Sequence, residues 1–181
     1  VAYNGLEALV AIGAGLRARS IALVGFGLDS IIELAAAGVV LWRIRLEARG
    51  ARAEEVAGAE ERVERFVGIT FFLLALYVGF EAGSRLWRHE APAESTIGII
   101  LAVASLLIMP TLALAKLRVA RALGSAALRA EARETLACAY LSLTLLAGLI
   151  ANAWLGWWWA DPVAALLMVP WLVREGREAF E

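Results

Sequence analysis

Six long runs of apolar residues follow one another along the chain, at roughly 1–16, 20–42, 66–87, 96–115, 134–156 and 161–173. An α-helix needs about 20 such residues to cross a bilayer. The runs are continuous and rich in Leu and Ala, without the two-residue alternation of barrel strands, so they are expected to be helices. With 61% hydrophobic residues, the chain is too apolar for a soluble domain, whose share is closer to roughly 45–50%. The expected fold class is therefore all-α: one transmembrane domain over 1–181, a bundle of six helices in an inner or plasma membrane.

Runs one and six fall short of a full crossing. The first is expected to be clipped, because the sequence opens at Val1 rather than at methionine. No basic-then-apolar leader with a small-residue cleavage site is apparent. The sixth run can borrow Trp157 to Trp159 before it and Arg174 to Phe180 after it. Those three tryptophans suit a membrane interface, where amphipathic indoles prefer to lie.

Charge sets the expected orientation. The connection after run two carries Arg43, Arg45, Arg49, Arg52, Arg62 and Arg65, and that after run four carries Lys116, Arg118, Arg121, Arg129 and Arg133. Arg174 and Arg177 lie in the tail, whereas the opposite side has only Arg17, Arg19, Arg85 and Arg88. By the positive-inside rule the even-numbered connections and both termini are expected to be cytoplasmic. Basic residues spread in this way, at a formal net charge of −1, give no patch for nucleic acid. The connection over 47–64 mixes Arg, Ala and Glu at helical spacing and is expected to be a solvated cytoplasmic helical extension.

Within run two, Gly25 to Glu33 places two carboxylates, Asp29 and Glu33, in sequence that otherwise belongs in lipid. Residues four apart stack on one helix face. Counted from Ser20, Asp29 falls roughly 14 Å into the helix at 1.5 Å per residue, near mid-membrane. Charge there costs several kcal/mol, so such a pair points first to an ion pathway. Run five offers a second pair at the same spacing, Glu134 and Cys138. Together the four side chains would supply oxygen and sulfur donors, which tetrahedral zinc accepts and which argue against magnesium or calcium. Counted from Ser20 and Trp157, the two pairs are not level, being roughly 20 Å and 28 Å deep. Ser142, one turn further along than Cys138, is a possible substitute ligand. A single cysteine excludes an internal disulfide.

Other polar residues receive structural readings. Asp161-Pro162 reads as an N-cap with proline at the first helical position. Pro110 and Pro170 permit bends, and His89 is an exposed loop residue. Glu7 and Glu81 lie near enough to segment ends to reach water, and Asn152 is suited to a hydrogen bond between helices. Gly13, Gly15, Gly25, Gly27 and Gly38 are close-packing positions, since small residues let membrane helices approach.

The run Ser20-Ile-Ala-Leu-Val-Gly-Phe-Gly-Leu-Asp-Ser-Ile-Ile-Glu33 carries a resemblance, together with Ala127-Leu-Arg-Ala-Glu-Ala-Arg-Glu134 and Ala160-Asp-Pro-Val-Ala-Ala-Leu166. The chain resembles the membrane domain of the cation diffusion facilitator family over nearly its whole length. The resemblance implies a six-helix, homodimeric exporter of zinc or related divalent metals, exchanging them for protons. It also implies metal ligands in pairs on helices two and five. Asp29 and Glu33 fall at the first pair, with Glu in place of the commoner Asp. Glu134 and Cys138 fall at the second, in place of His and Asp, which bears on metal choice. The sequence ends soon after helix six, which fits either a short form without the family's C-terminal cytoplasmic domain or a trimmed piece of a longer chain.

The expected function is zinc efflux coupled to proton antiport, with cobalt, cadmium, iron or manganese as other cargoes. The expected partners are the metal ion, protons, the lipid bilayer and a second copy of the chain, with no bound cofactor. Without metal, three carboxylates and a thiol in a poorly solvated site cannot all be ionised. A metal displaces the protons they hold, because its ligands must be deprotonated. The alternative is a membrane metal sensor or scaffold that keeps the fold and site without transporting. An intramembrane hydrolase is disfavoured, since no membrane-embedded histidine can serve as base.

Overall fold

The computed structural model describes residues 2–48, 53–123, 126–178 and 180. Six helices account for nearly all of them: α1 (Ala2–Ala18), α2 (Ile21–Ala48), α3 (Ala53–Arg88), α4 (Thr96–Leu123), α5 (Ala126–Leu155) and α6 (Ala160–Glu178). The fold is an all-α bundle, as the continuous apolar runs require. Among the described residues, three stretches are long and apolar enough to cross a membrane by length and composition alone: Arg65–Arg88, Thr96–Ala122 and Thr135–Leu155. The connection over 47–64 is helical where it is described and extends the two flanking helices. Residues 53–64 are the first turns of α3, residues 47–48 end α2, and residues 49–52 lie outside the described residues.

The outer surface explains the composition. Phe66, Leu73, Leu76 and Phe80 of α3, Ile100 and Leu107 of α4, and Leu9 and Leu16 of α1 are each at least 60% exposed. A soluble protein rarely shows contiguous apolar surface beyond a few hundred Å². This surface is one for hydrocarbon.

Inside, α2 is the central element. It packs against α1, α3, α5 and α6, and its Leu23 and Phe26 are buried in one cluster with Phe71, Val78, Leu145 and Met168. Glycine permits the closest approaches. A Cβ at Gly27 would meet Ile12 Cγ1 of α1 at 2.7 Å, and one at Gly148 would meet Ala164 Cβ of α6 at 2.6 Å. Of the glycines singled out in the sequence, Gly15 and Gly25 are also tight, whereas Gly13 and Gly38 have open space beside them.

The end of the bundle that holds the α1–α2, α3–α4 and α5–α6 connections is tied by polar bonds. Ser20 caps α2, its Oγ accepting from Leu23 N at 3.1 Å. Asp161 Oδ2 accepts from Ile21 N at 2.9 Å, and Asp161 Oδ1 accepts from Ser20 Oγ. The acid expected to cap its own helix therefore caps α2 instead, because α6 already begins at Ala160 and its first turn abuts the start of α2. Arg85 donates to the carbonyl of Arg19 and pairs with Glu81 at 3.1 Å. Arg19 has φ 53°, the left-handed value that lets the chain reverse between α1 and α2. Ala93 N donates to Ala18 O at 2.8 Å. Asn152 donates to Pro92 O at 3.3 Å, so it bonds a loop carbonyl rather than a neighbouring helix. His89 is exposed, and its ring lies 4.7 Å from that of Trp158.

Candidate metal centre

Helices α2 and α5 bring Asp29, Glu33 and Cys138 together. One ligand atom from each lies within 4.8 Å of the other two. Asp29 and Cys138 are each 4% exposed, and Glu33 is half-buried. Their meeting follows from two helical facts. The four-residue spacing stacks Asp29 and Glu33 on the face of α2 that turns toward α5. The apolar residues Leu141, Leu145 and Leu149, on the same side of α5, bury against the α2 core and so fix its rotation.

Cys138 Sγ donates to Glu33 Oε1. The depth difference counted along the sequence is therefore no obstacle. For near-antiparallel axes, contact between Glu33 and Cys138 puts the end of α5 at Leu155 roughly 8 Å beyond the start of α2 at Ile21. Ser142 is fully buried, and its hydroxyl donates back to Cys138 O at 2.7 Å. Glu134 lies on the backbone of α5, but its side chain falls outside the described residues. Lys116 Nζ of α4 donates to Thr135 Oγ1 at 3.1 Å, tying α4 to α5 one turn from Cys138.

Helix α1 forms a polar wall beside this cluster, which the sequence reading overlooked. Asn4 Nδ2 donates to Glu33 Oε2 at 3.1 Å. Tyr3 OH lies 2.9 Å from Ser105 Oγ of α4, and Ser105 donates to Glu7 Oε1. Ser30 Oγ, next to Asp29 in sequence, lies 3.3 Å from Glu7 Oε2. Glu7 is thus 1% exposed and satisfied by hydroxyls from two other helices; it does not reach water as its place near a segment end suggested. The Tyr3–Glu7 spacing of four was the available signal. Glu81 is different, being paired with Arg85 near the opposite end of the bundle.

Chemically, the cluster offers one sulfur and two carboxyl groups. Oxygen and sulfur ligands of a tetrahedral dication sit about 2.0–2.3 Å from it. Donor atoms no more than 4.8 Å apart close on such an ion with small side-chain movements. A buried acidic and sulfur-bearing cluster inside an apolar bundle defines the broad class, a polytopic membrane protein with a candidate cation site.

The family model described as the cation efflux transmembrane domain matches residues 1–180. The chain belongs to that family, the membrane domain of the cation diffusion facilitators, and is an integral membrane protein. It is 30% identical over 158 residues to a Synechocystis protein described as the uncharacterized transporter sll1263, covering 86% of this chain and 51% of that protein. It is 27% identical over 115 residues to the cation-efflux pump FieF of Shewanella oneidensis, covering 64% of this chain and 36% of that protein. The chain therefore spans about half, or less, of the length of these relatives.

Proposed function

We propose that this chain moves a divalent metal ion across the membrane as an efflux transporter, with zinc as the foremost cargo and protons as the counter-ion. The observation that carries the reading is the convergence of Asp29, Glu33 and Cys138 to within 4.8 Å inside the bundle. Family membership and likeness to a cation-efflux pump support efflux as the activity. The thiol supports zinc over magnesium or calcium, which take oxygen ligands. Cobalt, cadmium, iron and manganese are the competing cargoes.

Proton exchange follows from the ligands themselves. The thiol of Cys138 donates to Glu33, and its proton must leave before sulfur can bind a metal. Metal binding from one side and proton binding from the other would then alternate at one site. In this reading the even-numbered connections and both termini face the cytoplasm, and two copies of the chain work as a dimer. Glu134 and Ser142, whose hydroxyl donates to the Cys138 carbonyl and keeps its oxygen lone pairs, are retained as candidate fourth ligands.

Zinc uptake into vesicles of inserted protein under an imposed pH gradient tests the proposal. Flux should follow the gradient and vanish in Asp29→Ala. Flux indifferent to the gradient would remove the antiport. Zinc binding that depends on Asp29, without any flux in the parent, would instead establish the sensor or scaffold.

A further inference from the structure

Glu33 is held from two sides by different helices. Its Oε1 accepts from Cys138 Sγ of α5, and its Oε2 accepts from Asn4 Nδ2 of α1 at 3.1 Å. The first contact belongs to the candidate centre and would be replaced when metal binds. The second comes from the side-chain amide of a neighbouring helix.

The turn of α1 that carries Asn4 has little freedom to swing. Tyr3, just before it, is bonded to Ser105 of α4, and Glu7, one turn later, is bonded to Ser105 and Ser30. The same helix meets α2 where Gly27 leaves only 3.0 Å between a would-be Cβ and the Ile12 backbone nitrogen. The Asn4 amide is thus a fixed donor aimed at one chosen oxygen of a candidate ligand.

A carboxylate can bind a metal through one oxygen or through both. Large dications with many ligands take bidentate carboxylates readily, whereas zinc in a four-coordinate site is satisfied by one oxygen per carboxylate. An N–H bond to the second oxygen holds the carboxylate rotated away from the symmetrical, bidentate approach. Outer contacts of this type orient ligands and tune the metal they prefer.

We infer that Asn4 is a positioning residue that keeps Glu33 a one-oxygen ligand and thereby favours zinc over the larger cadmium ion. This rests on the metal-binding reading of Asp29, Glu33 and Cys138. Cadmium is the informative competitor because it also binds thiolate, so Cys138 serves both ions and the comparison isolates the carboxylate.

The test uses purified, membrane-reconstituted protein titrated with zinc and with cadmium, in the parent and in Asn4→Leu, Asn4→Ala and Asn4→Gln. Asn4→Leu keeps the branched four-atom shape of the side chain and removes the donor, Asn4→Ala removes the donor without added bulk, and Asn4→Gln restores a donor one methylene further out. Zinc affinity is expected to fall about 10- to 100-fold in Asn4→Leu and Asn4→Ala. Cadmium affinity should fall several-fold less, shifting the ratio toward cadmium, and Asn4→Gln should recover part of the zinc preference. Infrared difference spectra should show the separation between the two carboxylate stretching bands narrowing in Asn4→Leu, the signature of two-oxygen binding. Equal loss for both metals, or an unchanged ratio and unchanged bands, would overturn the role of Asn4. Metal binding in the parent that is insensitive to Asp29→Ala would overturn the underlying site instead, and the two failures are distinguishable.

Discussion

Asp161→Ala is the substitution whose cost the structure specifies most fully. Asp161 is fully buried and receives two hydrogen bonds at the start of α2, from Ile21 N at 2.9 Å and from Ser20 Oγ. Alanine removes both. The Ser20 hydroxyl can turn toward a nearby carbonyl, so its share is small, about 0.5–1 kcal/mol. The Ile21 amide is a first-turn donor with no partner in its own helix, and leaving it unpaired in a buried place costs about 1–3 kcal/mol. The expected loss is therefore about 1.5–4 kcal/mol. Asp161→Asn keeps one acceptor oxygen and should lose about half as much. Unfolding in mixed detergent micelles, followed by loss of helical signal against the fraction of denaturing detergent, reads this difference. Ser20 and Asp29 are separated by roughly 14 Å along α2, so zinc affinity of the folded protein should stay within about twofold of the parent. An Asp161→Ala protein as stable as the parent would refute the interhelical cap. A protein equally stable to Asp161→Asn but much weaker for zinc would mean that Asp161 serves the metal site directly.

Three further outcomes are expected. Cys138→Ser should lower zinc affinity more than tenfold by calorimetry and abolish the sulfur-to-metal charge-transfer band of the cobalt-loaded protein, since the thiolate supplies that transition; an unchanged band would exclude sulfur ligation. Zinc binding measured in buffers of different ionisation enthalpy should release at least about one proton per metal, with affinity rising as pH rises, because the ligands must be deprotonated; a pH-independent affinity would count against proton exchange at this site. Gly148→Ala should destabilise the bundle by about 1–3 kcal/mol through overpacking, because its new methyl would lie 2.6 Å from Ala164 Cβ and 3.2 Å from Ala160 O; unaltered unfolding would mean that α5 and α6 separate freely.

The helices and half of the candidate centre were legible in the sequence because membrane segments advertise themselves by local composition. Asp29 and Glu33 stood out for the same reason, as charges in the wrong solvent, and their spacing fixed their common face. Cys138 could be paired with them only through the repeated four-residue interval and the family resemblance, since depth counting alone set it about 8 Å away. What remained hidden depends on which helices are neighbours. Glu7 looked like a residue near a segment end, yet hydroxyls from α2 and α4 enclose it. Asp161 resembled a cap for its own helix, and only the abutment of α6 on α2 gives it another helix to cap. Asn4 carried no signal, being a polar residue in a short first run until α1 packs beside Glu33.

The claim that Asp29, Glu33 and Cys138 form one metal site is tested most directly by X-ray absorption at the zinc edge on the zinc-loaded protein, with Cys138→Ser as the control. A single sulfur at about 2.3 Å is expected, with the remaining shell of oxygens at about 2.0–2.2 Å and the sulfur contribution lost in the control. A shell containing imidazole nitrogen from His89, or one without sulfur in the parent, would contradict it.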